Sequence, residues 1–464
     1  MSASLTDTFI KSLMDYTDNH LDETVYAHIQ NCFLDYVGCA VSGAKLLESK
    51  CDLLLKSSLC TAGNSSIFGK GKHYGINVAA LVNGMYSHAL EMDDGQRVGT
   101  LHLAAPVFSG LLSVAENENI SYGDFLRGAI AGYETAIRLA CSIQPYHKRR
   151  GFHTTGTCGT IGTAMAIATA LSFNYEQFKA TLSAAISSAA GVLEMLSNDS
   201  ELKPFNVGRA ASDAVTAAYV GKVGFVPPHD ALMGKRGFYA TMTEKYDLTY
   251  IKSFEEHPHL CKTTFFKPYA ACRHCHPAIE AAMILAKENV IDLNEIQEVI
   301  VKTYDLAIIG HDHKEAKSVN SAKMGIPYSV AVSIIDKKAD ILEFSEECLL
   351  RKDIADLSSK VTVCEDPTLS ALIPNKRAAI VEIVTIDKTY RQRVDVAKGE
   401  PENPMTREEL IQKFNFLSQY ADKDVNWCKT AIKMILDTDH TKFFKDIASF
   451  LTTNEIALDK DNFH

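Results

Sequence analysis

Two segments, Thr160 to Leu171 and Phe178 to Met195, constrain the fold most: they are built from Ala, Gly, Ser and Thr with few charges. Helices of this composition let backbones approach closely and offer water no charged face. They predict central, buried helices of an α-helical domain. Amphipathic helices flank them. Asp22 to Val41 repeats apolar residues at threes and fours (Val25, Ile29, Cys32, Phe33, Tyr36, Val37). Ser121 is placed to cap a helix from Tyr122 to Ser142, whose apolar face holds Phe125, Ile130, Tyr133, Ile137 and Leu139.

The pattern changes after about Phe265. The β-branched or alternating runs Val299-Ile300-Val301, Lys360 to Cys364, Ile380 to Ile386 and Arg391 to Val396 predict strands, with Asp387-Lys388-Thr389 as a hairpin turn. Ala278 to Glu288, Pro327 to Ile335 and Ser345 to Arg351 predict helices between them. Lys398 to Pro404 breaks the structure, and Thr406-Arg407-Glu408-Glu409 has capping-box spacing that reopens a helical region to about Phe450. The expected architecture is mainly α: an all-α helical domain built from both chain ends (residues 1–265 and 403–464) with an inserted α+β lid domain (residues 266–402).

Composition excludes several classes. With 464 residues, 46% hydrophobic and 22% charged, the chain can bury a large core and is not a disordered protein. Lys and Arg number 47 against 57 Asp and Glu, a net charge of −10, which argues against nucleic acid as main partner. The 12 Cys are scattered, unlike a disulfide scaffold. The opening Met1 to Asp7 has neither the basic nor the apolar part of a secretory leader. The longest apolar-looking run, Cys158 to Ser172, falls short of the ~20 residues of a membrane span. A cytoplasmic protein with no membrane contact is expected.

Four stretches carry candidate chemistry. His88 to His102 contains Glu91, Asp93, Asp94, Arg97 and His102 at the end of an apolar helix. A solvated helix end is the plain reading; hard cations also favour carboxylates, but Asp93-Asp94-Gly95 is too short for a calcium loop. Arg149 to Gly159 is a loop of Gly, Thr and His153 feeding a small-residue helix, a place for an anion. Lys203-Pro204 sits at a helix entry. Phe266 to Pro277 holds Lys267, Cys272, Arg273, His274, Cys275 and His276. Zinc through this cluster needs a second ligand pair, for which only His311 and His313 offer themselves, and a redox Cys-x-x-Cys would want a thioredoxin-like βαβ context that is missing. A cationic rim is the better reading. Phe68-Gly69-Lys70-Gly71-Lys72 reads as a tight turn. Together, His102, His153, Lys203, Lys267 and Arg273 or His274 suit a substrate with two or three carboxylates: cations hold them while a neutral base removes a proton from an adjacent carbon.

The ordered set of motifs resembles the MmgE/PrpD family, which includes 2-methylcitrate dehydratase, cis-aconitate decarboxylase and iminodisuccinate epimerase. It runs from Leu34-Asp35-Tyr36-Val37-Gly38 through Asn83-Gly84, His88-Ala89-Leu90, Asp93-Asp94, Gly151-Phe152-His153, Lys203-Pro204 and Gly208-Arg209-Ala210-Ala211. It continues to Cys272-Arg273-His274, Ile326-Pro327-Tyr328-Ser329-Val330 and Asn403-Pro404-Met405. The resemblance implies a helical domain with an α+β lid, an active site between the two, a homodimer, and neither metal nor organic cofactor. By position it implies roles for His102, His153, Lys203 and Lys267, with Asp93 and Asp94 as the family's acidic pair. The expected catalytic set is these His and Lys residues with His274, and Glu91, Asp93, Asp94, Arg97, Cys272 and Arg273 are expected to bind substrate. Departures stand at Gly95, where the family usually has Thr, at Glu91 for Asp, at Leu103 for Pro, and at Cys272, where cis-aconitate decarboxylase has His. The expectation is a cofactor-independent lyase, a dehydratase of a small 2-methylcitrate-like hydroxy-polycarboxylate. The alternatives are a decarboxylase or epimerase on the same site, a non-catalytic polycarboxylate-binding protein, and a zinc protein.

Overall fold

The computed structural model describes residues 4–197, 200–252 and 254–452. The fold is mainly α with a small β component. It divides into two compact units, one of residues up to 195, 202–264 and from 406 onward, the other of residues 196–201 and 265–405. Among the described residues no helix is long and apolar enough to cross a membrane.

The first unit is helical, and both ends of the chain share its core. The Glu23–Leu46 helix starts at Asp22, whose side chain accepts from the Thr24 and Val25 amides. It packs against the Ile76–His88, Ala104–Ala115, Arg407–Tyr420 and Val425–Leu436 helices. Phe33, Phe108, Phe125 and Phe444 interlock at its centre, with Phe125 and Phe444 stacked 3.7 Å apart. Ser121 caps the Tyr122–Ile143 helix as its sequence predicts, and Thr406 with Glu409 forms the expected capping box.

The small-residue segments are buried helices, with shifted ends. One runs Thr154–Ala170, six residues earlier than its composition suggests, and is buried along its whole length. The other runs Tyr175–Ser188 and stops well short of Met195. Ala189 turns extended, and Gly191 takes a φ of 145 that side-chain-bearing residues avoid. This frees the chain to pair with the loop before Thr154: the His153 amide donates to the Gly191 carbonyl at 3.0 Å and the Leu193 amide to the Gly151 carbonyl at 2.7 Å. A helix continued to Met195 would forfeit both bonds.

Small residues also set the crossing of the Ile76–His88 and Leu202–Lys222 helices. A methyl group on Gly84 would lie 2.6 Å from the Gly208 Cα, and one on Gly208 would run into the Leu81 carbonyl oxygen. The two backbones touch with no side chain between them. Gly208→Ala is expected to force the helices apart and cost about 1–3 kcal/mol, read from the chemical-denaturation midpoint.

The second unit is α+β. Its four-stranded sheet runs in the order Val361–Glu365, Ile296–Thr303, Ala379–Thr385, Thr389–Val394. The first pair is parallel, with Val299 opposite Val361, and the others antiparallel, with Val301 opposite Val381. The His276–Glu288 and Ile326–Ile335 helices pack together beside this sheet. The expected helix over Ser345 to Arg351 is only the short turn Glu346–Leu349, followed by a separate Lys352–Ser359 helix.

Candidate active site

In the helical unit the chain leaves the Ile76–His88 helix at His88 and turns at once. Glu91 adopts φ 57, a left-handed conformation uncommon for a residue with a side chain. The turn sets the Glu91 carboxylate in an ion pair with Lys203 and 3.9 Å from His88 Nε2. His88 is fully buried, and its Nδ1 donates to Asp93 Oδ2 at 2.8 Å. His102 Nδ1 lies 3.2 Å from that same oxygen and 2.7 Å from the Asp94 carbonyl oxygen, with the two imidazoles edge to face at 4.7 Å. Burial opposes the Asp93 charge, but the two imidazoles outweigh it and hold the carboxyl well below the usual range.

Asp94 is in the opposite state. It accepts from the Ala104 amide at 2.9 Å and from Tyr133 Oη at 2.7 Å, yet its complete burial pushes its pKa up to about 7. Neighbouring carboxyls whose environments drive their proton affinities apart are a pattern of acid–base sites. Neither is a solvated helix end.

His153 stands at the N-cap of the Thr154–Ala170 helix, almost wholly buried. Its Nδ1 lies 2.7 Å from Asn206 Oδ1, an acceptor, so Nδ1 carries the proton and Nε2 keeps its lone pair. Burial, with smaller pushes from Lys203, His88 and His102, lowers its pKa to about 3. Asn206 follows Lys203 by three residues on the Leu202–Lys222 helix, so both project from one face. The His102 amide donates to Thr155 Oγ1 at 3.0 Å, tying the His102 loop to the start of the His153 helix. Glu91, Asp93, Asp94, His102, His153 and Lys203 thus belong to one continuous cluster. Arg97 lies half-buried in the short loop between the paired residues Gln96 and Leu101.

His153 has a consequence for stability. Its folded pKa lies below the ordinary 6.5, so its contribution is complete above pH 6.5 and falls as the pH drops toward 3. By pH 5 the linkage amounts to about 2 kcal/mol. His153→Asn is expected to lose less unfolding free energy than wild type between pH 7 and pH 5 by that amount, measured by urea denaturation at each pH.

The remaining sequence candidates lie in the second unit. Lys267 and Arg273 are buried. Arg273 is not a rim cation: Nε donates to Glu400 Oε1 at 3.0 Å, Nη1 lies 2.8 Å from His276 Nδ1, and the guanidinium sits 4.7 Å from the Phe265 ring centre. A buried guanidinium needs such a partner. His274 Nδ1 is 2.7 Å from Tyr304 Oη, and Cys272 Sγ is 3.8 Å from His311 Nε2. The zinc arrangement is not formed. His276 spends its second nitrogen on the Ala271 carbonyl at 3.1 Å. Among the described residues the only three such donors lying within 4.8 Å of one another are those of His88, Asp93 and His102, the one grouping compact enough for a metal ion.

Sequence reasoning passed over His88, Tyr133 and Asn206. His88 opens a quoted motif and carried no role of its own. Asn206 had a signal in its spacing from Lys203. Tyr133 stands in the sequence as a plain apolar-face residue.

The profile of the MmgE/PrpD N-terminal domain matches residues 8–251, and that of the MmgE/PrpD C-terminal domain matches residues 269–437. A human protein named cis-aconitate decarboxylase is 23% identical over 449 residues, covering 92% of this chain and 90% of its own length. Cis-aconitate decarboxylase of Aspergillus terreus (strain NIH 2624 / FGSC A1156) is 24% identical over 412 residues, 83% of each chain. The cis-aconitate decarboxylase-like protein oryM of Aspergillus oryzae is 21% identical over 419 residues, 85% of this chain and 86% of its own. These names support a lyase role at the level of the family, and not a hydro-lyase in particular. With both domain profiles matched in order along most of its length, the chain belongs to the MmgE/PrpD family.

Proposed function

We propose that this protein is a cofactor-independent lyase of a small polycarboxylate, working through a carbanion next to a carboxylate. The observation that carries this reading is the pairing of two differently prepared imidazoles in one buried cluster. His153 is neutral, with Nδ1–H on Asn206 and an unprotonated Nε2. His102 has Nδ1 against Asp93 Oδ2, a carboxylate that favours the protonated ring. His153 is therefore the base that takes the α-proton, and His102 the acid that returns one. Lys203 and Arg97 would hold substrate carboxylates, with Glu91 orienting the Lys203 ammonium.

Dehydration of a 2-methylcitrate-like hydroxy acid is the first reading, since Cys272 stands where the resemblance to cis-aconitate decarboxylase leads one to expect His. In it, His102 protonates the leaving hydroxyl. Decarboxylation is the second reading, favoured by the names of the relatives; there His102 protonates carbon after CO2 departs. A cytoplasmic homodimer is part of the proposal. NMR in heavy water on citrate, 2-methylcitrate, cis-aconitate and tartrate separates the outcomes. Water loss marks the dehydratase, CO2 loss the decarboxylase, and deuterium exchange without elimination an epimerase. Binding without turnover or exchange across the panel overturns the enzymatic reading.

A further inference from the structure

A second reactive cluster lies in the α+β unit. Cys272 caps the short turn Arg273–Cys275, which runs directly into the His276–Glu288 helix, itself capped by Cys275. The Cys275 amide donates to the Cys272 carbonyl at 2.8 Å. Such a turn brings its first and fourth Cα atoms within about 7 Å, close to the separation a disulfide spans. His311, 7% exposed, meets the Cys272 sulfur and shares a carbonyl acceptor with Cys275. Its Nε2 lies 3.8 Å from Cys272 Sγ, and its Nδ1 lies 2.5 Å from the Met324 carbonyl oxygen, which also receives the Cys275 thiol at 3.7 Å. A carbonyl only accepts, so Nδ1 holds the proton and Nε2 turns its lone pair to the Cys272 thiol. Cys272 is half-buried and Cys275 buried. Nucleophile, base and a group orienting the base are all present. An adjacent imidazolium favours a thiolate.

We propose that Cys272 is a nucleophilic thiol, activated by His311 and resolved by Cys275, that reacts with hydroperoxides. His311 Nε2 takes the thiol proton, and the thiolate pair attacks one peroxide oxygen. The S–O bond forms, the O–O bond breaks, and the departing oxygen leaves as water or an alcohol with the proton from His311. The Cys275 sulfur then attacks the Cys272 sulfenic acid: S–S forms, S–O breaks, and hydroxide leaves as water with the Cys275 proton. The two thiols are oxidised together by two electrons, and the peroxide is reduced. The thiol chemistry uses none of His102, His153 and Lys203, and its test reads alkylation and oxidation, not lyase turnover.

The test uses the full chain. Under limiting iodoacetamide at pH 7, peptide mass spectrometry should show Cys272 alkylated about tenfold or more faster than Cys60 and Cys348, which are also half-buried but meet no imidazole among the described residues. Equal rates overturn the proposal. Hydrogen peroxide should join Cys272 to Cys275 in wild type, and Cys275→Ser should instead yield a dimedone adduct at Cys272. Neither product at this pair also overturns it. His311→Gln should bring Cys272 down to the Cys348 rate while leaving Cys348 unchanged. A Cys272 rate that survives this change removes His311 from the proposal, and should that variant not fold, the wild-type rate ratio decides.

Discussion

Lys413→Met is expected to lower the unfolding free energy by about 3–5 kcal/mol, because it strands a buried carboxylate. Lys413 comes from the Arg407–Tyr420 helix, near the end of the chain, and reaches Asp35 Oδ1 at 2.5 Å inside the Glu23–Leu46 helix. Both side chains are almost entirely excluded from water. Burial opposes the ammonium charge, but Asp35 outweighs it, and the lysine is held above its ordinary 10.5. The contribution is therefore fully present below pH 10.5 and is lost only as the pH climbs through the folded-state value. Lys413 Nζ also donates to the Met92 carbonyl at 2.6 Å, so it tethers the loop that carries Glu91 and Asp93. Chemical denaturation at pH 7 measures the loss. Adding Asp35→Leu should recover most of it, since removing both charges leaves nothing unpaired. A loss below about 1 kcal/mol for the single variant would show that water reaches the pair.

His153→Ala is expected to reduce turnover by about 10²–10⁴-fold, the usual contribution of a general base. Asn206→Ala should lose less. It leaves the imidazole in place but no longer holds Nδ1 as the protonated nitrogen, so Nε2 is the free base in only part of the population. Steady-state kinetics on the substrate found by NMR would rank the three proteins, with circular dichroism reporting whether the helices persist. Activity of His153→Ala within twofold of wild type would remove this residue from the chemistry.

The sequence made local signals readable and non-local ones only half so. Ser121 and the Thr406 box mark helix starts because capping depends on residues three apart. The β-branched runs mark strands because side chains alternate along them. The end of the Tyr175–Ser188 helix is different. Ala189 to Met195 has helical composition, yet the helix stops at Ser188, the chain bonds at Gly191 and Leu193 to His153 and Gly151 some forty residues earlier, and only Leu193–Leu196 winds up again, as a short 3-10 turn. Asp35 within an apolar helix announces a buried charge that needs a partner. Nothing near it in the chain points to Lys413, 378 positions later. At the candidate site, residue types were legible and proton states were not. Whether Asp94 rises or Asp93 falls depends on how many imidazoles and amides face each carboxyl.

The bare contact at Gly84 and Gly208 leaves no slack between the helix that ends in His88 and the helix that carries Lys203 and Asn206. The supports of three cluster residues are bolted to one another at a joint that tolerates no added atom. Changes that reshape the cluster are thereby steered away from these two helices and toward the turn that leaves the first of them, which carries Glu91 and Gly95.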